Sequence, residues 1–98
     1  MQALLIAAVA LTAGCETAPV QEMSDARQAI AVAKEAGAAE KAAFHLKAAE
    51  VYLESAEQKL SDHQYSQARY DAKQAKMKAL DALKASETGS KSAEDDSR

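Results

Sequence analysis

Side chains that commonly carry out chemistry are few in this chain and lie far apart. His45 and His63 are the only histidines, 18 positions apart, and neither has a cysteine or a paired carboxylate at metal-ligand spacing. The serines lack a glycine-rich elbow and a histidine partner, and three scattered glycines cannot form a phosphate-binding loop. We therefore expect surface histidines and no catalytic residue, cofactor, metal site or small-molecule substrate. This pattern is typical of a protein that is not an enzyme.

Cys15, the only cysteine, ends an apolar stretch. No charged side chain occurs from Met1 to Gly14, and as a helix these residues would span about 21 Å, less than the roughly 30 Å of bilayer hydrocarbon. A secretory signal peptide is the better interpretation. The residues LTAGC at 11–15 resemble the bacterial lipobox, in which lipid is attached to the cysteine sulfur and the signal is cut before it. Thr12 stands where leucine is commoner, and the alternatives are a buried core thiol or a chance cysteine.

The lipobox predicts a signal peptide over residues 1–14 and an acylated, palmitate-bearing Cys15 that begins a tether over residues 15–22. Two or three acyl chains, at about 0.8 kcal/mol per buried methylene, hold a protein to a membrane essentially permanently. Glu16, where an inner-membrane retention signal has Asp, favours the outer membrane and a body facing the periplasm. The net charge of −3 argues against nucleic-acid binding.

The elements that must position these residues are helical. Small and apolar residues recur at heptad spacing, in three successive sets: Ala26, Ala29, Ala33 and Ala36; then Leu46, Leu53 and Leu60; then Ala68, Ala72, Ala75, Ala79 and Ala82. Gly37 suits a helix C-cap, and Ser61 with Gln64 can form a capping box.

These signals predict helices over residues 20–36, 39–60 and 64–86, within a helical domain of residues 23–86. The polar residues 87–98 lack a large apolar side chain and predict a disordered tail. The fold class is therefore all-α: a small antiparallel three-helix bundle or a helical hairpin with alanine-rich heptad seams.

Charge adds a prediction about how the second and third helices meet. An acidic stripe on the second helix comprises Glu50, Glu54 and Glu57, and a basic stripe on the third comprises Arg69, Lys73, Lys76 and Lys84. Folding about residues 62 and 63 would place these stripes side by side. Each exposed pair contributes only about 0.2 to 1 kcal/mol, so the stripes would set register more than stability. Two separately solvated faces are the alternative.

Alanine seams bury little apolar area, so the core should be marginal for a chain of this size. Self-association or an envelope protein lying along the bundle would bury more. Tyr52 and Tyr65 are expected to be half-buried core residues. Tyr70, with Arg69 and Lys73 beside it, is the candidate interaction surface.

Several stretches carry a family resemblance. After the lipobox come ARQAIAVAKEAGAAE, AAEVYLESAEQKL and HQYSQARYDAKQAKMKAL, and together they resemble a family of short alanine-rich bacterial lipoproteins that share a domain of unknown function. Members often have a Gly-Asp-Tyr turn where this chain has His63-Gln64-Tyr65, so the tyrosine matches and the glycine does not. The resemblance implies an envelope location and a tetratricopeptide-like helical bundle, and it brings no catalytic residues.

Together these patterns predict a non-enzymatic, lipid-anchored envelope protein whose bundle is a periplasmic interaction or scaffolding module. The alternative is an oligomeric coiled-coil spacer lipoprotein of the outer membrane. A membrane-remodelling helix or small-ligand carrier is disfavoured, because the alanine seams are narrow and flanked by acidic residues.

Overall fold

A computed structural model describes residues 17–96 of the chain, with side chains described over residues 17–88. The described residues form four helices: α1 (Val20–Glu35), α2 (Ala38–Lys41), α3 (Ala43–Ser61) and α4 (Tyr65–Asp96). The helices pack against one another, and no strand occurs within residues 17–96. The all-α prediction is confirmed.

The three long helices form an antiparallel bundle. Ion pairs join Arg27 to Glu57 and Lys34 to Glu50. Residue numbers that rise along α1 are therefore matched by numbers that fall along α3, so these two helices are antiparallel. Ser55 and Asp71, which bond across α3 and α4, lie equally far on either side of His63. The chain therefore reverses at residues 62–63, as the sequence predicts, and the bundle rather than the two-helix hairpin is the observed arrangement.

Gly37 ends α1 as predicted. It adopts the left-handed conformation, with φ 87°, and its N–H donates to the Lys34 carbonyl at 3.0 Å. Only glycine adopts this backbone without a Cβ penalty, so the chain can turn sharply after the last helical residue.

The second predicted helix, 39–60, is interrupted in the structure. Ala42 has φ −144° and ψ 46° and separates the short α2 from α3. No helix-breaking residue marks this point in the sequence. Ala38 and Ala42 are both buried in the core cluster that contains α4 residues, so packing against α4 favours the bend between α2 and α3. We call this bend the α2 corner.

The α3–α4 turn is closed by backbone bonds. Gln64 donates to the Lys59 carbonyl and His63 to the Leu60 carbonyl, with His63 in the left-handed region at φ 62°. This is a Schellman motif with histidine in place of the usual glycine. Ser61 is the last residue of α3, so the predicted capping box is wrong.

Helix α4 is longer than the sequence predicts. It continues to Asp96, whereas the sequence predicts a disordered tail from residue 87. No proline follows residue 86, and one glycine costs only about 1 kcal/mol in a helix.

The core lies along the predicted alanine seams. Seam alanines of all three long helices have no solvent exposure, among them Ala26, Ala33, Ala49, Ala56, Ala72 and Ala79. Met23, Ile30 and Leu46 are the large apolar residues that are also buried. Phe44 and Val51, two of the few large apolar residues of the chain, are 82% and 53% exposed, because they lie on the side of α3 opposite the seam.

The acidic stripe of α3 faces α1 rather than α4. Glu57 pairs with Arg27 at 3.1 Å and Glu50 with Lys34 at 3.2 Å. The prediction that this stripe pairs with the basic stripe of the last helix is therefore wrong, although the axial alignment of the two helices is as predicted. The reason is that a third helix occupies one side of the hairpin and supplies the cations.

Candidate functional site

Cys15, the predicted lipidation site, lies outside the described residues. Among the helices over residues 17–96, none is both long and apolar enough to cross a bilayer. The described residue nearest to Cys15 is Thr17, two positions after the predicted lipidation site.

Arg69 connects α4 to this N-terminal segment. Its Nη2 donates to the Thr17 carbonyl at 2.9 Å, and its Nε donates to Glu22 Oε2 at 3.3 Å. The guanidinium has five donors in a planar fork and can therefore bridge two acceptors at once. We call these two contacts the Arg69 clamp. The sequence predicts Arg69 as part of an interaction surface, and in the structure its guanidinium makes two contacts within the chain.

The predicted tether over residues 15–22 is mostly part of the bundle. Helix α1 begins at Val20, and Pro19 before it is almost fully buried. The Met23 N–H donates to the Pro19 carbonyl at 3.0 Å. A proline just before the first helical turn costs no hydrogen bond, because its missing N–H would have had no helical acceptor. Only Glu16 therefore lies between Cys15 and the clamped Thr17.

Tyr70 and Lys73, the other two residues of the predicted interaction surface, are exposed on the side of α4 that points away from the seam. Tyr70 is 61% exposed, and Met77, seven positions later, is 56% exposed. The same side continues with further apolar and basic residues. We call this set the α4 outer face: Tyr70, Lys73, Lys76, Met77, Leu80 and Lys84.

Among the described side chains, the lysines of the α4 outer face make no ion pair with an acidic residue, although Lys73 and Lys76 line a groove with Glu22 and Asp25. Within the described side chains, ion pairs are made by Arg27, Lys34, Lys59 and Arg69. Lys73, Lys76 and Lys84 form none in that part of the chain. The face thus presents three unpaired positive charges among three half-exposed apolar side chains.

A shallow groove between α1 and α4 borders this face. One part, of about 230 Å³, is lined by Ala29, Val32 and Leu80 with the polar side chains of Asp25, Gln28 and Lys76. A second part of similar volume shares Asp25 and Lys76 and continues toward Glu22 and Lys73. The groove is apolar at one end and charged at the other, so it extends the α4 outer face laterally.

Asp71 forms a polar cluster that the sequence pattern does not reveal. Its Oδ2 accepts a hydrogen bond from Ser55 Oγ at 2.6 Å and from Lys59 Nζ at 3.2 Å. The Asp71 side chain is only 11% exposed. Ser55 and Lys59 have i,i+4 spacing on α3, but serine is too common for that spacing to be a signal. The cluster links α3 to α4 close to the turn.

The histidines are placed far apart, as expected. His63 is exposed in the α3–α4 turn beside Tyr65, at a ring-centroid distance of 5.8 Å. His45 is half-buried, rather than exposed as the helical pattern suggests, and lies edge-on to Phe44. Tyr52 and Tyr65 are half-buried as predicted. Across the described residues, no group of His, Cys, Asp and Glu side chains could hold a metal ion.

No family model, curated protein or solved structure matches this chain. The functional interpretation therefore depends on its own residues and geometry.

Proposed function

We propose that this protein is a non-enzymatic, lipid-anchored envelope protein whose helical bundle is a periplasmic protein-interaction module. The observation that carries the proposal is the α4 outer face. It combines exposed aromatic and aliphatic side chains with unpaired lysines on one continuous side of one helix.

The composition of this face is more typical of a protein-binding surface than of a surface that contacts only solvent. Aromatic residues and methionine are enriched in protein interfaces, where they contribute buried area. Full burial of a Met or Leu side chain stabilises by roughly 1.5 to 3 kcal/mol, and Met77 and Leu80 are still about half exposed. Unpaired lysines favour an acidic partner surface and accelerate its association. The alanine core leaves the bundle with little buried apolar area of its own, so a partner would add appreciable stability.

The anchor is proposed from the LTAGC residues at 11–15. A lipidated Cys15 would hold the bundle at the outer membrane, on its periplasmic side. The resemblance to alanine-rich bacterial lipoproteins agrees with this location. The tetratricopeptide-like character of the bundle stays a prediction.

One observation favours the alternative of an oligomeric coiled-coil spacer. Since Ser55 lies opposite Asp71, Ala43 at the start of α3 lies opposite about residue 83 of α4. Helix α4 nevertheless continues to Asp96. In the spacer alternative, a second copy of the chain would pack along this extension.

A photocrosslinking amino acid placed at Tyr70 in the source bacterium separates the two functions. The interaction module predicts an adduct with a different envelope protein, and this adduct should weaken when Lys73 and Lys76 are replaced by Gln. Gln58, exposed on the outer side of α3, is the matched control position and should give no such adduct. An adduct at Tyr70 with twice the mass of the chain would favour the spacer.

Replacement of Cys15 by Ser tests the anchor separately. Metabolic labelling with a palmitate analogue should be lost, and the protein should leave the membrane fraction. Retention of the variant in membranes would contradict a lipid anchor at Cys15.

A further inference from the structure

We propose that the Arg69 clamp holds one end of the bundle against the membrane surface, so that the bundle stands on its α3–α4 turn and the α4 outer face runs outward from the lipid along the side of the bundle. The proposal rests on the lipid anchor at Cys15. It names the surface that meets the bilayer headgroups and the residue that orients the module.

The clamp lies at a defined end of the bundle. Arg69 is in the second turn of α4, which begins at Tyr65 just after the α3–α4 turn. Its contacts with Thr17 and Glu22 place the entry of the chain at this same end. The end therefore comprises the segment from Thr17 to Pro19 and the turn residues Asp62, His63 and Gln64. We call it the base.

The clamp shortens the link to the anchor. Only Glu16 lies between Cys15 and the clamped Thr17, so their Cα atoms are at most about 7 Å apart. If the segment were free up to the start of α1 at Val20, the link from Cys15 would reach about 17 Å. The clamp therefore keeps the base within a few ångströms of the headgroup level and reduces the freedom of the bundle to drift away or roll over.

The base is suited to rest on headgroups without inserting. Asp62, His63 and Gln64 are all exposed and polar, and Val20, 70% exposed at the start of α1, adds a single short apolar side chain beside them. Insertion into hydrocarbon would leave the polar groups without hydrogen bonds. The contact is therefore with the hydrated lipid surface.

The orientation gives the α4 outer face a defined direction. Helix α3, with 19 residues, extends about 28 Å from the base to the α2 corner. The outer face begins near the base at Tyr70 and ends at Lys84, about 21 Å further along the helix. A partner would thus meet Tyr70 close to the membrane and Lys84 well into the periplasm.

Fluorescence energy transfer to the membrane tests this arrangement. Because Cys15 carries its thiol as a thioether, a cysteine introduced at Gln64 in the base or at Glu40 near the α2 corner is the only reactive thiol. Each full-length lipidated protein is labelled with a donor and reconstituted into phosphatidylcholine vesicles that contain an acceptor-labelled headgroup lipid. We expect transfer to be at least about twofold stronger from position 64 than from position 40, because the two lie roughly 28 Å apart along the bundle.

Two variants test the clamp itself. Arg69→Gln should release the segment and lower the transfer from position 64 toward that from position 40. Arg27→Gln removes an exposed guanidinium that pairs with Glu57 and does not contact the segment, so it should leave both signals unchanged. Insertion of about eight Gly and Ser residues after Glu16 lengthens the link outside the folded part and should reproduce the Arg69→Gln result, even if that variant folds poorly.

Equal transfer from the two positions in the unaltered protein would overturn the proposal, since the bundle would then lie flat or tumble. Unchanged transfer on Arg69→Gln together with unchanged transfer on insertion would also overturn it. Mass spectrometry of the purified chain separates these results from failure of the anchor: a chain without acyl groups on Cys15 would contradict the proposed function as well.

Discussion

Asp71 links the two longest helices of the bundle, and its removal should destabilise the protein more than removal of any other acidic residue on α4. The carboxylate accepts hydrogen bonds from Ser55 Oγ at 2.6 Å and Lys59 Nζ at 3.2 Å. Asp71→Ala removes both bonds and leaves two donors on α3 to find other partners.

The size of the effect follows from the burial of each group. A hydrogen bond to a charged group contributes about 1.5 to 3 kcal/mol when it is shielded from solvent, and the Asp71 side chain is only 11% exposed. Lys59 is 34% exposed and can turn toward water, so its ion pair contributes only about 0.5 kcal/mol after screening. The expected loss is therefore about 2 to 3 kcal/mol. In a domain of this size each kcal/mol lowers Tm by roughly 4 to 8 °C, so Tm should fall by roughly 10 to 20 °C.

Urea and thermal unfolding of the chain from Glu16 onward, followed by circular dichroism, measure this loss. Asp81→Ala is the matched control, because Asp81 is exposed on the same helix and makes no ion pair within the described side chains. It should change the free energy of unfolding by less than about 0.5 kcal/mol. Asp71→Asn keeps an acceptor for Ser55 and loses only the charge, so it should fall between the two.

Equal stability of the Asp71→Ala and Asp81→Ala variants would refute this reasoning. A double-mutant cycle with Ser55→Ala adds a second check. If Ser55 and Asp71 interact as the distance indicates, the two substitutions should be less than additive by about 1 kcal/mol or more. Additive effects would mean that the bond contributes nothing to stability.

Two further predictions concern backbone and core. Gly37→Ala should destabilise by about 1 to 2 kcal/mol, because φ at this residue is 87°, while a Cβ would make only ordinary van der Waals contact with Lys41, whose nearest side-chain atom would be at 3.6 Å. Gly89→Ala, inside α4, should instead leave stability unchanged or raise it by up to about 1 kcal/mol. Urea unfolding of the two variants should therefore give free energies of unfolding that differ by at least about 1 kcal/mol, with Gly37→Ala the less stable. Ala79→Leu should cost about 1 to 3 kcal/mol by overpacking a seam position with no solvent exposure. Ala31→Leu, at an exposed position of α1, is its control, and equal melting temperatures for these two would show that the seam is loosely packed.

Much of the fold is readable from the sequence because helices are specified locally. Alanine spacing of three and four residues depends only on the helical period, so the seam is visible before any partner is known. Gly37 marks the first helix end, since its left-handed backbone is a local property of glycine. The chain reversal at residues 62–63 also follows from the change of seam at that point.

Contacts between helices are a different matter. The acidic stripe of α3 is visible in the sequence, but its partner depends on which side of the hairpin α1 occupies. The sequence does not distinguish Arg69 from the other basic residues on helix surfaces. Only the tertiary structure places Thr17 and Glu22 within hydrogen-bond distance of its side chain. The sequence likewise does not single out Asp71 among the acidic residues of α4, because its hydrogen-bond partners lie on α3.

The sequence alone determined the helical character, the alanine seams, the turn positions and the lipobox hypothesis, because these depend on near neighbours in the chain. The tertiary structure decided which charges pair, that residues 17–19 are clamped rather than free, and which side of α4 stays open. These features depend on distances between residues far apart in the sequence, and a repeating pattern of small side chains does not encode how its helices are rotated against one another.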